Sequence, residues 1–198
     1  MSFWAGAMAF TVDDLRQLTD LTVSAWRSAA DRDWSVPAGS LTWTCADTAG
    51  HTVDTVLAPA IFLASRRVDD YPSYGISTPG PDAAPAVLIE ALQTAARILV
   101  AVVADASPDV RAVIWRRPRV EVRGPADFLP RAGLELILHA YDVCQGLGVP
   151  FTPPHDLCAR LREHTRDWPM WASPGWSPPT DDPAAWTDLL RASGRSGL

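Results

Sequence analysis

Glu135 and His139 stand four residues apart in the run Glu135-Leu-Ile-Leu-His139, and a lone His51 lies far upstream in another stretch of helical character. On a helix, an i,i+4 pair projects from one face one turn apart, so the carboxylate and the imidazole aim at one point. Two imidazoles and one carboxylate arriving from two helices make a three-ligand metal site with coordination positions left open. That donor set suits catalytic zinc or non-haem iron(II) rather than a closed structural site. Asp142, about a turn beyond His139, is placed to orient a ligating imidazole from behind. The competing reading is ordinary: a partly buried helix histidine at 51, and a Glu/His pair on a wet face. Against it, Ala49 and Gly50 leave room around the His51 ring. Glu135 is also embedded in Gly133-Leu134 and Leu136-Ile137-Leu138, where a carboxylate without a partner would be costly. Spacing alone leaves both readings open.

The elements that must carry these residues read as helix after helix, separated by Pro/Gly/Asp-rich joints. Thr11 and Asp14 form a capping-box-like pair, followed by Leu15, Leu18, Thr22, Ala25, Trp26 and Ala29 at helical spacing. Asp31 to Gly39 breaks that pattern. Thr44 and Asp47 open a second helix running to about Arg66, which Pro59 should kink or shorten. Asp70 to Pro85, with Pro72, Gly75, Pro79, Gly80 and Pro81, is a long loop. A third helix spans about Ala86 to Asp105. Val110 to Arg123 mixes β-branched residues with Arg and Trp115 and suits an extended segment or a short hairpin. The Glu135/His139 helix begins near Pro125 or Pro130 and ends around Gly146–Gly148, and a shorter helix follows between Pro154 and Arg166. After a Trp/Pro/Ser-rich linker (Trp168 to Thr180), Asp182-Pro183 supplies an N-cap and first-turn pair for a last helix. The sum is an all-α, up-down four-helix bundle with a short helical C-terminal extension and at most one short β-hairpin. Residues 1–198 read as one domain, with a core of about 11–150 and an extension of about 151–198.

Composition excludes several function classes. An apolar share of 47% is enough for a core that folds without staples. Net charge is −6, and the only basic cluster is Arg116-Arg117-Pro118-Arg119, so nothing is built to neutralise a nucleic-acid backbone. Cys45, Cys144 and Cys158 are odd in number and widely spaced, which suits free thiols in a reducing cytoplasm. Residues 1–10 lack a basic leader region, and no later stretch reads as a membrane span. All 17 basic residues are arginine, which points to a GC-rich host because lysine codons are A-rich.

Other candidates weigh less. Cys45 sits near a helix start, where the macrodipole lowers a thiol's pKa, though a small buried residue is the simpler assignment. Arg66 and Arg67 end the His51 helix and are weak candidates for clamping a substrate carboxylate, cations at a helix C-terminus being common. His155 and His164 suit solvated positions on a polar helix. The nine tryptophans, Trp34, Trp43, Trp168, Trp171 and Trp176 among them, are mostly packing groups.

The run Asp33-Trp-Ser-Val-Pro-Ala-Gly39 followed by Trp43-Thr-Cys-Ala-Asp47-Thr-Ala-Gly-His51 resembles the Trp-Thr-x-x-Asp-x-x-x-His signature of the DinB/YfiT-like four-helix-bundle proteins. It is similar in particular to their mycothiol-dependent maleylpyruvate isomerase branch. Glu135-Leu-Ile-Leu-His139-Ala-Tyr-Asp142 looks like that branch's second signature, Glu-x-x-x-His-x-x-Asp. Gly146-Leu-Gly, Thr152-Pro-Pro, Asp156-Leu-Cys and the closing Asp182-Pro…Trp186-x-x-Leu-Leu-x-Ala-Ser-Gly194 extend the likeness along nearly the whole chain. The resemblance implies that His51, Glu135 and His139 bind a divalent metal, usually zinc, with Fe2+ and Ni2+ left open. It also implies mycothiol as the thiol cosubstrate. Two departures stand out. Ser40-Leu41-Thr42 replaces the Cys-Pro-Gly-like turn that often precedes the Trp-Thr, and the isomerase proper carries a further C-terminal domain that a chain of this length does not hold.

The leading expectation is a cytoplasmic, metal-dependent thiol transferase or isomerase acting on a small electrophile. Its partners are the thiol and the electrophile, without nucleic acid or membrane, and a homodimer is left open. The alternatives are a non-catalytic metal- or ligand-binding bundle with a regulatory role, and a metal-dependent hydrolase, for which no general base is evident.

Overall fold

The computed structural model describes residues 9–80 and 82–195, so the reading of the first eight residues as lacking leader character, and Pro81 of the long loop, lie outside it. The described chain is all-α apart from one small hairpin. Helix α1 (Val12–Arg27) starts where expected: Thr11 Oγ1 accepts from the Asp14 N–H, and the Asp14 carboxylate accepts from the Thr11 N–H at 2.8 Å. Helix α2 (Cys45–Ser65) opens on the same reciprocal cap between Thr44 and Asp47. Pro59 does not shorten it; the helix runs on to Ser65, with only the Thr55 carbonyl deprived of its N–H partner. It ends at Arg66, whose backbone is left-handed (φ 54°). Helix α3 (Pro85–Asp105) begins with Pro85 in its first turn, where a missing N–H costs nothing.

Strands β1 (Ala112–Trp115) and β2 (Glu121–Arg123) form an antiparallel hairpin with an irregular register between Val113 and Trp115. A 3-10 turn over Pro125–Asp127 leads straight into α4 (Phe128–Leu147), so Pro130 falls in the first turn. Then come α5 (His155–Thr165), a 3-10 turn over Pro169–Ala172 inside the Trp/Pro-rich linker, and α6 (Ala185–Ala192). The last helix corrects one expectation. Asp182-Pro183 is not its cap and first turn; Asp182 Oδ1 accepts from the Ala184 N–H at 2.7 Å, a tight turn that precedes the helix.

The packing adds what spacing could not supply, the order of the helices around the bundle. Both α1 and α2 pack against α3 and α4, so α1 and α2 stand on a diagonal and α2 is flanked by α3 and α4. Helix α4 is buried nearly all round, from Phe128 to Cys144, as a helix apolar on every side must be. Within that run only Glu135 and His139 keep a minor part of their surface open. The extension docks on α4 through Trp186, whose ring meets Tyr141 (centroids 5.6 Å apart) and Phe151 (6.2 Å) edge-on.

Helix α3 departs from the expectation that no stretch is membrane-like: by length and composition it is apolar enough to cross a bilayer. In this fold its Leu88, Ile89, Leu92, Ala95, Ala96 and Leu99 are buried in the bundle core instead.

Candidate metal centre

Two helix termini set the distance between α2 and α4, and so the position of His51. Cys45, at the start of α2, is fully buried with its Sγ 3.7 Å from the Val143 carbonyl oxygen. Gly146 of α4 makes this approach feasible: a Cβ there would lie 2.3 Å from the Pro37 carbonyl oxygen and 2.6 Å from Cys45 Sγ. Burial pushes the Cys45 thiol up to about 11, with Asp33 adding to the shift, so Cys45 is a packing residue and no nucleophile. With α2 clamped there, His51 lies opposite His139.

The geometry that results is compact. One ligand-type atom from each of His51, Glu135 and His139 lies within 4.8 Å of the others. Glu135 Oε2 is 3.4 Å from His139 Nε2, and the His51 and His139 rings meet edge to face with centroids 5.1 Å apart. Trp43 also stands edge to face with His51, at 5.0 Å. Behind His139, Nδ1 faces Asp142 Oδ2 at 3.2 Å. That partner favours a proton on Nδ1; with both nitrogens protonated Nε2 donates to Glu135, and loss of the Nε2 proton frees the lone pair that an ion would take.

Two arginines that the sequence reading did not single out complete the surroundings. Arg131 Nη1 donates to Glu135 Oε1 at 3.0 Å, its Nε donates to the Ile114 carbonyl at 3.4 Å, and its guanidinium lies 3.9 Å over the Trp115 ring. The hairpin therefore supports the Glu135 carboxylate through Arg131. Its i,i+4 spacing to Glu135 was a usable signal. Arg195 grips Asp142 with both arms, Nε to Oδ1 at 2.9 Å and Nη2 to Oδ2 at 2.7 Å. No local pattern links those two, because they lie on different elements.

Charge is distributed unevenly over the cluster. Burial opposes ionisation of Glu135, yet the His139 hydrogen bond and the Arg131 and histidine charges outweigh it and bring the carboxyl down to about 2. Burial alone would lower the His139 pKa, but the bonds to Asp142 and Glu135 prevail and raise it. His51 has no such support; burial and then the His139 charge hold it below the usual histidine value. Asp142 is buried too, and its bonds to His139 and Arg195 keep it below the usual carboxylate range.

The remaining sequence candidates do not join the cluster. Arg66 and Arg67 sit at the far end of α2, about 20 Å from His51 at 1.5 Å per residue, and Arg67 pairs with Asp69 on the surface. His155 is exposed, as expected, but His164 is not solvated: its Nε2 meets Asp127 Oδ1 at 3.1 Å and its Nδ1 accepts from the Phe10 N–H at 3.3 Å. A cavity of about 460 Å3 opens beside His51, between α2 and the 78–80 segment rather than between the two ligand helices. Trp43, Asp47 and Asp54 line it, and the Thr78 hydroxyl donates to Asp54 across it.

Fold and site together define a class: a helical bundle presenting an open two-histidine, one-carboxylate cluster that could hold a divalent ion, with no fourth protein donor among the described residues. The family model described as the mycothiol maleylpyruvate isomerase N-terminal domain matches residues 15–144, and the chain belongs to that DinB-like family. The match contains all three residues of the cluster and Asp142. No curated protein and no solved structure matches the chain.

Proposed function

We propose that this protein is a cytoplasmic, divalent-metal-dependent thiol transferase or isomerase, using mycothiol and acting on a small electrophile. The observation that carries the reading is the convergence of His51, Glu135 and His139 within 4.8 Å, in a chain of a mycothiol-associated family. His51, Glu135 and His139 would hold the ion, with zinc the first choice for two imidazoles and a carboxylate in an open site. Bound there, the ion would supply the Lewis acidity that keeps a small thiol ionised, and so nucleophilic, at neutral pH.

The protein's own groups prepare for that task. Asp142 would hold a proton on His139 Nδ1, so that Nε2 is the nitrogen offered to the ion. Arg131 occupies Oε1 of Glu135, which leaves Oε2 turned toward His139. Trp43, 46% exposed, forms an apolar edge where a cosubstrate would enter beside His51.

An assay of zinc-loaded protein against a panel of electrophiles, with and without mycothiol, tests the reading. Turnover only with the thiol is the expected result. Turnover without it, lost in Glu135→Ala, would replace the reading with hydrolysis, and metal binding with no turnover under either condition would replace it with a binding role. A thiol bound through ionised sulfur releases a proton, so its apparent affinity is expected to rise with pH until the bound thiol is fully ionised.

A further inference from the structure

Asp142 is held far more tightly than a carboxylate needs to be if it only accepts from His139. Its side chain is 2% exposed, that of Arg195 is 10% exposed, and the two meet in a two-point fork. Burying such a pair strips water from both charges, and an apolar contact of similar volume would often stabilise the fold as well or better. What an apolar contact cannot do is fix the plane of a carboxylate. Here the fork orients the oxygen, Oδ2, that also faces His139 Nδ1 at 3.2 Å.

The chain takes trouble to deliver Arg195 to this point. Helix α6 ends in a paired turn in which the Arg195 N–H bonds to the Leu190 carbonyl at 2.8 Å and the Gly194 N–H to the Arg191 carbonyl at 3.0 Å. The turn needs Gly194 in the left-handed region (φ 73°), and a Cβ there would come within 2.7 Å of the Gly175 carbonyl oxygen. Asp188, buried at the middle of α6, accepts from the Thr180 N–H at 2.7 Å and from Arg191 at 2.8 Å, tying the linker to the helix. With Trp186 seated on Tyr141, the segment that bears Arg195 is fixed to α4 beside Asp142. All of it lies beyond residue 144, where the family match stops.

We propose that Arg195 is a positioning residue of the metal centre: it locks the Asp142 carboxylate, which locks the His139 ring, so that the C-terminal extension sets the metal affinity of the bundle. The inference rests on His51, Glu135 and His139 being the ligands. Without the fork the carboxylate can rotate and the imidazole can turn with it, so each binding event must first restore the orientation. Loss of a group that orients a ligating histidine typically weakens metal binding about 10- to 100-fold.

The test uses the full chain and four variants, Arg195→Gln, Arg195→Lys, Asp142→Asn and the double variant D142N/R195Q. Cobalt(II) is titrated by visible absorption, zinc competes it out, and thermal unfolding of the metal-free proteins is followed alongside. Arg195→Gln is expected to bind cobalt about 10- to 100-fold more weakly, with a shifted absorption band, and the double variant no more weakly than Asp142→Asn alone. Arg195→Lys keeps the buried charge and the fold but not the fork, and is expected to bind several-fold more weakly than the unmodified chain. Unchanged affinity and spectrum in Arg195→Lys and Arg195→Gln, even with a lower melting temperature, would reduce Arg195 to a structural tie. Failure of the unmodified chain to take up cobalt at all would instead remove the ligand assignment, and the proposal with it.

Discussion

His51 and His139 present the same imidazole from facing helices, yet their surroundings differ. His139 is braced at both nitrogens, by Asp142 at Nδ1 and by Glu135 at Nε2, and each of these carboxylates is held in turn by an arginine, Arg195 and Arg131. His51 packs at right angles against the rings of Trp43 and His139, and among the described residues nothing hydrogen-bonds to its ring. The opposite pKa directions of the two rings follow from that difference. Orientation on α4 is thus built from polar bonds. On α2 it depends on how firmly the helix start is clamped, through Cys45, Gly146 and the Thr44/Asp47 cap.

The largest effect should come from the ligands. Replacing His139 by Ala is expected to abolish stoichiometric metal uptake, measured by metal analysis of the purified protein, while far-UV circular dichroism keeps its helical form. His51→Ala should weaken binding less, because Glu135 and His139 stay braced without it. Equal losses would show that the bracing of α4 adds nothing.

Next comes the clamp. Gly146→Ala places a methyl group against the backbone of Pro37 and the buried sulfur of Cys45, and is expected to cost about 1–3 kcal/mol in chemical denaturation. Because it pushes α2 off α4, it should also weaken cobalt binding, although residue 146 touches no ligand. A stability loss with unchanged metal affinity would mean that His51 follows α4 by some other contact.

Removal of the cap is a smaller change of the same kind. Thr44→Ala is expected to cost about 1 kcal/mol, with a modest loss of metal affinity in the same titration.

The smallest effect concerns a region away from the site. Asp14, buried at the start of α1, is opposed by burial but bonded by Arg160 and Thr11, and its pKa is lowered. A carboxyl lowered on folding adds stability that is complete above its unfolded value, near 3.8, and is lost as pH falls through its folded value. The stability of the metal-free protein, from chemical denaturation between about pH 5 and pH 2, should therefore fall less steeply in Asp14→Asn than in the unmodified chain. Parallel curves would assign the acid sensitivity to other carboxylates, those of the α4 network first.

Much of this was legible in the chain because the signals are local. The caps at Thr11 and Thr44, the helical spacing of α1 and α4, and the i,i+4 pairing of Glu135 with His139 are each decided within a turn or two. The start of α6 is not legible locally, because Asp-Pro suits both a helix cap and a preceding turn, and here the Asp182 side chain closes the turn. The setting of His164 is hidden for another reason: its partners, Asp127 and Phe10, belong to distant segments.

By itself, then, the sequence determined the helices, their ends and the residue types able to bind a metal, since backbone caps and one-face periodicity depend on near neighbours alone. Only the tertiary structure decided that α2 stands beside α4, how near His51 comes to His139, and that Arg195 closes on Asp142. Those outcomes depend on close approaches such as Gly146 to Pro37 and Gly194 to Gly175. A glycine at such a point has no periodicity to announce it, and the segment it admits is known only when the chain has folded back.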